Sequence, residues 1–113
     1  MKIVNTSNAE HYKWGLNSDG WHLLKTTGLS VIEENVPSNE QEVRHYHQQA
    51  QQFFYILAGT AHIEISGTEF VIEAGNGIHV PATKPHQLFN ESDQVLRFIV
   101  VSQPHSHGDR VRA

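Results

Sequence analysis

The chain has 113 residues, of which 38% are hydrophobic and 18% charged, and its formal net charge is −4. These values fit one globular domain over residues 1–113 and exclude extended disorder. The absence of cysteine excludes disulfides and thiolate-ligated metals. An acidic charge without a basic stripe predicts no nucleic-acid partner. No stretch resembles a signal peptide or a bilayer span, so we expect a cytoplasmic protein without membrane contact.

In chain order, residues 20–37 suggest two strands, and short runs rich in β-branched and aromatic residues follow from residue 43 to residue 101. Glycine, asparagine and proline separate these runs, and residues 66–68 indicate a tight hairpin. The last residues, 104–113, begin with a proline and are otherwise mostly polar, which predicts a tail. Eight to ten short strands in this length predict an all-β sandwich or small barrel.

The chain contains nine histidines, and imidazole is the commonest metal ligand in proteins. Side chains alternate across a strand, so residues 42–47 place Val43, His45 and His47 on one face. The other face carries charged residues, including Glu42, and is therefore predicted to face outward. The same argument places His86 inward on a later strand.

Three inward imidazoles would repel one another if charged and would lack hydrogen-bond partners if neutral. A divalent cation removes both difficulties because it binds the neutral form. We therefore predict a metal site at His45, His47 and His86. The other His-x-His pair, His105 and His107, lies in the predicted tail without a third group, so we do not assign a site there.

Two segments resemble the paired motifs of the cupins, a family of jelly-roll β-barrels. The first family motif, G-x5-H-x-H-x3,4-E-x6-G, matches in spacing at Asn39, His45, His47, Gln52 and Gly59. The second, G-x5-P-x-G-x2-H-x3-N, matches in spacing at Gly75, Pro81, Thr83, His86 and Asn90. The motif region covers residues 39–90. The resemblance implies an all-β, single-domain cupin jelly-roll barrel with a metal held by His45, His47, Gln52 and His86.

Three of these positions depart from the family pattern. Asn39 replaces a glycine but tolerates the same left-handed conformation. Thr83 replaces another glycine, and its β-branched side chain is expected to resist positive φ, which predicts a rearranged turn. Gln52 replaces the glutamate ligand.

The glutamine changes the predicted metal chemistry. It keeps a carbonyl oxygen but removes a negative charge, which predicts weaker binding and a stronger Lewis acid. Two alternatives stay open: Gln52 ligates the ion, or it only forms hydrogen bonds inside the barrel. Three neutral histidines alone suffice for a catalytic zinc site. The donor set suits iron, nickel, zinc, manganese or copper and does not select among them.

The resemblance implies two classes of function. The first is a metal-dependent oxygenase, isomerase or lyase that acts on a small oxygen-rich substrate chelated to the metal inside the barrel. The alternative is a non-catalytic module that binds a small molecule with the metal as anchor. An inward acid or base would favour the enzyme, but alternation supplies none, because Tyr55 and His79 are predicted to face away. The predicted barrel lining consists of Val43, Phe54, Ile56, Ile63, Leu88, Leu96 and Phe98.

Residues 53–57 are apolar at every position, which is typical of a strand covered on both faces. Phe54 and Ile56 are predicted to face inward, which leaves Phe53, Tyr55 and Leu57 outside. We expect a homodimer to cover this outer face. The alternative is that the N-terminal segment, with Tyr12, Trp14 and Trp21, folds over it within one chain.

Overall fold

The structure is a computed structural model that describes residues 1–113 as eleven β-strands without a helix. The strands are β1 Glu10–Trp14, β2 Ser18–Lys25, β3 Ser30–Val36, β4 His45–His47, β5 Gln51–Ala58, β6 Thr60–Ile65, β7 Thr68–Glu73, β8 Gly77–Val80, β9 His86–Phe89, β10 Leu96–Gln103 and β11 Arg110–Arg112. The chain therefore holds no helix long and apolar enough to cross a membrane.

The strands form two antiparallel sheets that pack face to face. The six-stranded sheet has the order β1-β2-β3-β10-β5-β8, and the five-stranded sheet has the order β11-β4-β9-β6-β7. The two sheets are not joined into one closed barrel. This arrangement is a two-sheet jelly roll, and it confirms the predicted all-β class.

The core lies between the sheets and follows the predicted alternation. Of the seven predicted lining residues, all but Val43 are buried. Burial of each such side chain stabilises the fold by about 1.5–3 kcal/mol. The inward prediction for Val43 is wrong, because this side chain is 50% exposed. Alternation fails there because β4 begins only at His45, and residues 42–44 are irregular.

The inner face of the six-stranded sheet carries a fully polar row at one end and rows with large apolar side chains beyond it. Three cross-strand rows follow from the register of β3, β10 and β5: Ser30, Ser102 and Gln52; then Ile32, Val100 and Phe54; then Glu34, Phe98 and Ile56. The first row is polar, which marks one end of the sandwich as a site for polar groups.

Two turn residues of the motif region adopt positive φ. Asn39 does so with φ of 65°, as predicted. The expectation that Thr83 would avoid this conformation is wrong, because its φ is 71°. The Thr83 amide donates a 2.7 Å hydrogen bond to the carbonyl of His47, and this bond holds the strained turn. The turn therefore keeps its position beside a predicted metal ligand.

The prediction of a polar tail at 104–113 is also wrong. Arg110–Arg112 form β11, which pairs with β4 and places Arg110 opposite His47. The Asp109 carboxylate accepts hydrogen bonds from the backbone amides of Gln48, Gln49 and Ala50 at 2.9–3.2 Å. The carboxyl end of the chain is thus a wall of the sandwich, fixed to the loop between β4 and β5.

The N-terminal segment does not cover the outer face of β5. Strand β1 lies at the far edge of the same sheet, separated from β5 by β2, β3 and β10. Phe53 and Tyr55 remain 43% and 42% exposed. Trp14 instead packs against the core.

Candidate metal centre

Two neighbouring strands bring the predicted histidines together. Strand β4 supplies His45 and His47, which share a face because they lie two residues apart. His86 of β9 lies directly opposite His45 in the register. The ring centroids are 4.5 Å apart for His45 and His86, 4.9 Å for His45 and His47, and 5.9 Å for His47 and His86. One ligand atom from each ring lies within 4.8 Å of the others. We call these three residues the histidine triad.

Backbone carbonyls fix the proton positions on two of the rings. His45 Nδ1 lies 2.7 Å from the carbonyl oxygen of Val43, and His86 Nδ1 lies 2.9 Å from that of Lys84. A carbonyl only accepts, so each Nδ1 carries the proton and each Nε2 keeps a free lone pair. His86 Nε2 is buried without a hydrogen-bond partner. A metal ion would satisfy this atom.

Gln52 presents its oxygen in the same way. The Gln52 Nε2 donates a 2.9 Å hydrogen bond to Ser102 Oγ, while Gln52 Oε1 is buried without a partner. His47 Nδ1 is likewise buried and unpartnered. Buried polar atoms in folded proteins are nearly always satisfied. The donor chemistry of these residues therefore fits a divalent transition metal, held by neutral nitrogens and one carbonyl oxygen.

The three imidazoles of the triad are uncharged at neutral pH. Burial, together with the positive charge of Arg110, lowers the pKa of His45 to about 3 and that of His47 to about 4. Burial also lowers the pKa of His86. All three rings are therefore neutral at pH 7, which is the form that binds metal.

An open cavity of about 760 Å³ adjoins the triad. Its volume lies in the range that accommodates a drug-sized molecule. Aromatic side chains of β1 and β5 line it, namely Tyr12, Trp14 and Phe54. His105 and His107 line the same cavity but do not belong to the triad.

Two carboxyl groups that the sequence pattern did not place at the site line this cavity. Glu34 and Glu42 both line it, and burial raises the pKa of Glu34 to about 7 and that of Glu42 to about 8. The outward prediction for Glu42 is wrong for the same reason as that for Val43. Glu34 could have been found, because it shares the parity of Ile32 and Val36 in β3.

Tyr55 and His79 lie where the sequence predicted. Tyr55 faces outward, and His79 is exposed, with Nε2 at 2.9 Å from Gln51 Oε1. His62 stacks on Phe89, away from the triad. None of these residues lines the cavity.

Residues 32–102 match the family described as Cupin domain, and this match covers more than half of the chain. The chain therefore belongs to the cupin family. A curated relative, "Polyketide synthase CurC" of Streptomyces cyaneus, is 26% identical over 77 residues. This region is 68% of the present chain but only 47% of the relative's length.

Two solved structures have closely similar folds. The polyketide cyclase RemF from Streptomyces resistomycificus superposes with a TM-score of 0.86 at 19% identity, covering 100% of this chain and 85% of its own. KdgF from Halomonas sp. superposes with a TM-score of 0.84 at 13% identity, covering 93% and 94% of the two chains. At these identities the likeness shows the shared fold.

Proposed function

We propose that this protein is a metal-dependent enzyme whose oxygen-rich small-molecule substrate is held against the metal in the cavity. One observation carries the proposal: two members of the buried histidine triad, His45 and His47, line the same cavity as two carboxyl groups of raised pKa. Strongly shifted carboxyl groups in a cleft are typical of catalytic sites. They supply the inward acid and base that the sequence pattern lacked.

The ligands of the proposed centre are His45, His47, Gln52 and His86. When bound, a divalent metal would act as a Lewis acid that polarises a substrate oxygen. Ser102 holds the Gln52 amide with its oxygen free, and the carbonyls of Val43 and Lys84 orient two of the rings.

Among oxygenase, isomerase and lyase chemistry, the cavity favours the last two. Isomerisation and elimination proceed through proton transfers, and a carboxyl group with a pKa near 7 can both take and give a proton at neutral pH. Oxygenation has no comparable need for a pair of carboxyl groups. Glu34 and Glu42 therefore support a proton-transfer enzyme.

The cavity and the relatives together suggest a substrate class. A volume of about 760 Å³ with aromatic walls is larger than a two- or three-carbon acid requires. One relative bears the name polyketide synthase and another the name polyketide cyclase. We infer a polycarbonyl or polyphenolic substrate, whose neighbouring oxygens chelate a metal.

The test compares metal-free and zinc-loaded protein with ethyl acetoacetate, a simple β-dicarbonyl probe. The enzyme proposal predicts that the zinc-loaded form, and only that form, accelerates exchange of the probe's methylene protons in D₂O. Metal-dependent binding without acceleration would support the non-catalytic binding module instead. Identical behaviour of the two forms, with no metal-dependent binding, would contradict both.

A further inference from the structure

We propose that Glu34 and Glu42 act together as a catalytic carboxyl pair, in which Glu34 takes a proton from the substrate and Glu42 returns one. Tyr12 is the positioning residue for Glu34. This inference rests on the proposed function and assigns its acid and base.

Three residues in register on neighbouring strands position the Glu34 carboxylate. Tyr12 of β1 lies opposite Gly20 of β2, and Gly20 lies opposite Glu34 of β3. A Cβ atom at Gly20 would collide with the Tyr12 ring, so the glycine leaves the space through which the ring crosses β2. The Tyr12 hydroxyl then donates a 2.9 Å hydrogen bond to Glu34 Oε2. No protein group donates to Glu34 Oε1, which leaves this oxygen for a ligand.

Glu42 is held from the other sheet. Its backbone amide donates to the carbonyl of Leu88, and the Leu88 amide donates to Glu42 Oε1, both at 3.0 Å. No protein group donates to Glu42 Oε2. Leu88 follows the ligand His86 by two residues, or about 7 Å along β9. A substrate bound at the triad would therefore extend past Glu42.

The charges around the pair separate the two roles. Burial raises both pKa values, and the charge of Glu34 raises that of Glu42 further. The hydrogen bond from Tyr12 favours the ionised form of Glu34, so Glu34 loses its proton first. The other titratable groups that line the cavity are Glu10 and Tyr12 from β1, His22 and Lys25 from β2, His45 and His47 from β4, His105 and His107 from the segment that precedes β11, and Arg110 from β11.

The proton-transfer step balances without an oxidant or reductant. Ionised Glu34 takes the proton from a carbon that lies between two carbonyl groups. The electron pair of the broken C–H bond forms the new C=C bond, and the carbonyl π pair moves to oxygen. Protonated Glu42 gives its proton to that oxygen, so one O–H bond replaces one C–H bond. The negative charge has moved from Glu34 to Glu42, and proton exchange with water resets the pair.

The test measures exchange of ethyl acetoacetate methylene protons by zinc-loaded protein as a function of pH. Glu34→Gln and Glu42→Gln are each expected to lower the rate about 100-fold, the usual contribution of one acid or base. The matched control is Glu33→Gln, since Glu33 is the preceding residue of β3 and pairs with Arg97 on the other face. It should retain the wild-type rate.

The pH profile separates catalysis from a structural effect. The wild-type rate should rise at low pH as Glu34 ionises and fall at high pH as Glu42 loses its proton. Glu34→Gln should abolish the first change and Glu42→Gln the second. Tyr12→Phe removes a hydrogen bond that favours ionised Glu34, so it should move the low-pH limb to higher pH.

Different measurements test the carboxyl pair and the metal-dependent enzyme. Zinc content, measured by elemental analysis, should be unchanged in both glutamine variants. Probe binding, read from the visible spectrum of the cobalt-loaded protein, should be unchanged as well. Wild-type exchange that persists in these variants would overturn the carboxyl pair and leave the metal-dependent enzyme intact. Loss of metal-dependent probe binding in the wild type would overturn the proposed function. In that case, NMR titration of glutamate carboxyls decides the pair, which is overturned if both titrate below about pH 5.5.

Discussion

The side-chain nitrogen of Gln52 donates a hydrogen bond of 2.9 Å to Ser102 Oγ, and the carbonyl oxygen of the same amide remains buried without a partner. Gln52 and Ser102 are register partners on β5 and β10, so the sheet itself sets this orientation. The arrangement explains how a neutral side chain serves at a position where the family has a carboxylate. The serine satisfies the nitrogen, and the oxygen is left for an ion.

Replacing Gln52 by glutamate should tighten metal binding about tenfold or more, because it adds a charge opposite to that of the ion. Competition with a chromophoric chelator measures this affinity. Gln51→Glu is the matched control, since Gln51 is exposed and bonds to Gln103 and His79. Equal or weaker binding by Gln52→Glu would show that this side chain does not reach the metal.

Asp109→Asn should loosen the loop that joins His47 to Gln52. The carboxylate accepts hydrogen bonds from three consecutive backbone amides, and an amide side chain retains only one accepting oxygen. We expect a loss of about 1–3 kcal/mol in unfolding free energy and weaker metal binding. Chemical denaturation and chelator competition report the two effects. Asp93→Asn, in an exposed loop, should change neither.

The carboxyl group of Glu42 gives the metal-free protein a defined pH dependence. Its pKa is about 8 in the folded protein against an ordinary value of 4.5. A raised carboxyl pKa means that the folded state holds its proton more tightly, so stability falls as pH rises between these values. Glu42→Gln removes this pH dependence and keeps an oxygen that accepts the hydrogen bond from the Leu88 amide.

The Tm advantage of Glu42→Gln over the wild type should therefore grow by roughly 5 °C or more between about pH 5 and about pH 9. Thermal unfolding followed by circular dichroism at both pH values measures it. A Tm difference that stays constant or shrinks with rising pH would mean that Glu42 titrates as an ordinary surface carboxyl group.

We propose that the protein is a homodimer that pairs through the outer face of β5. Phe53 and Tyr55 are exposed there and lie in register with Val101 and Ile99 of β10, which widens the apolar surface. Light scattering at micromolar concentration should give a dimer mass for the wild type and a monomer mass for Tyr55→Glu. Val71→Glu, on an exposed position of the other sheet, should remain a dimer. A monomeric wild type would overturn the pairing.

The sequence predicts those parts of the site that lie on continuous strands. His45, His47 and His86 converge as expected, because alternation is reliable within β4 and β9. It fails at Val43 and Glu42, because these residues precede the strand. Periodicity cannot reveal such a change of direction.

Long-range pairing is the second source of error. The segment Arg110–Arg112 has no apolar run to mark it as a strand, and its position beside β4 comes from backbone pairing and from Asp109. Thr83 shows the same limit on a smaller scale. Its local preference opposes positive φ, but the hydrogen bond to His47 outweighs that preference.

Elemental analysis decides whether the histidine triad holds a metal. The protein should be purified without a chelator or a metal-affinity step and compared with His47→Ala and His105→Ala. We predict about one divalent transition metal per wild-type chain, a sharp loss in His47→Ala and no loss in His105→Ala. A wild-type protein that neither carries nor takes up metal would contradict the claim, as would equal loss in the two variants.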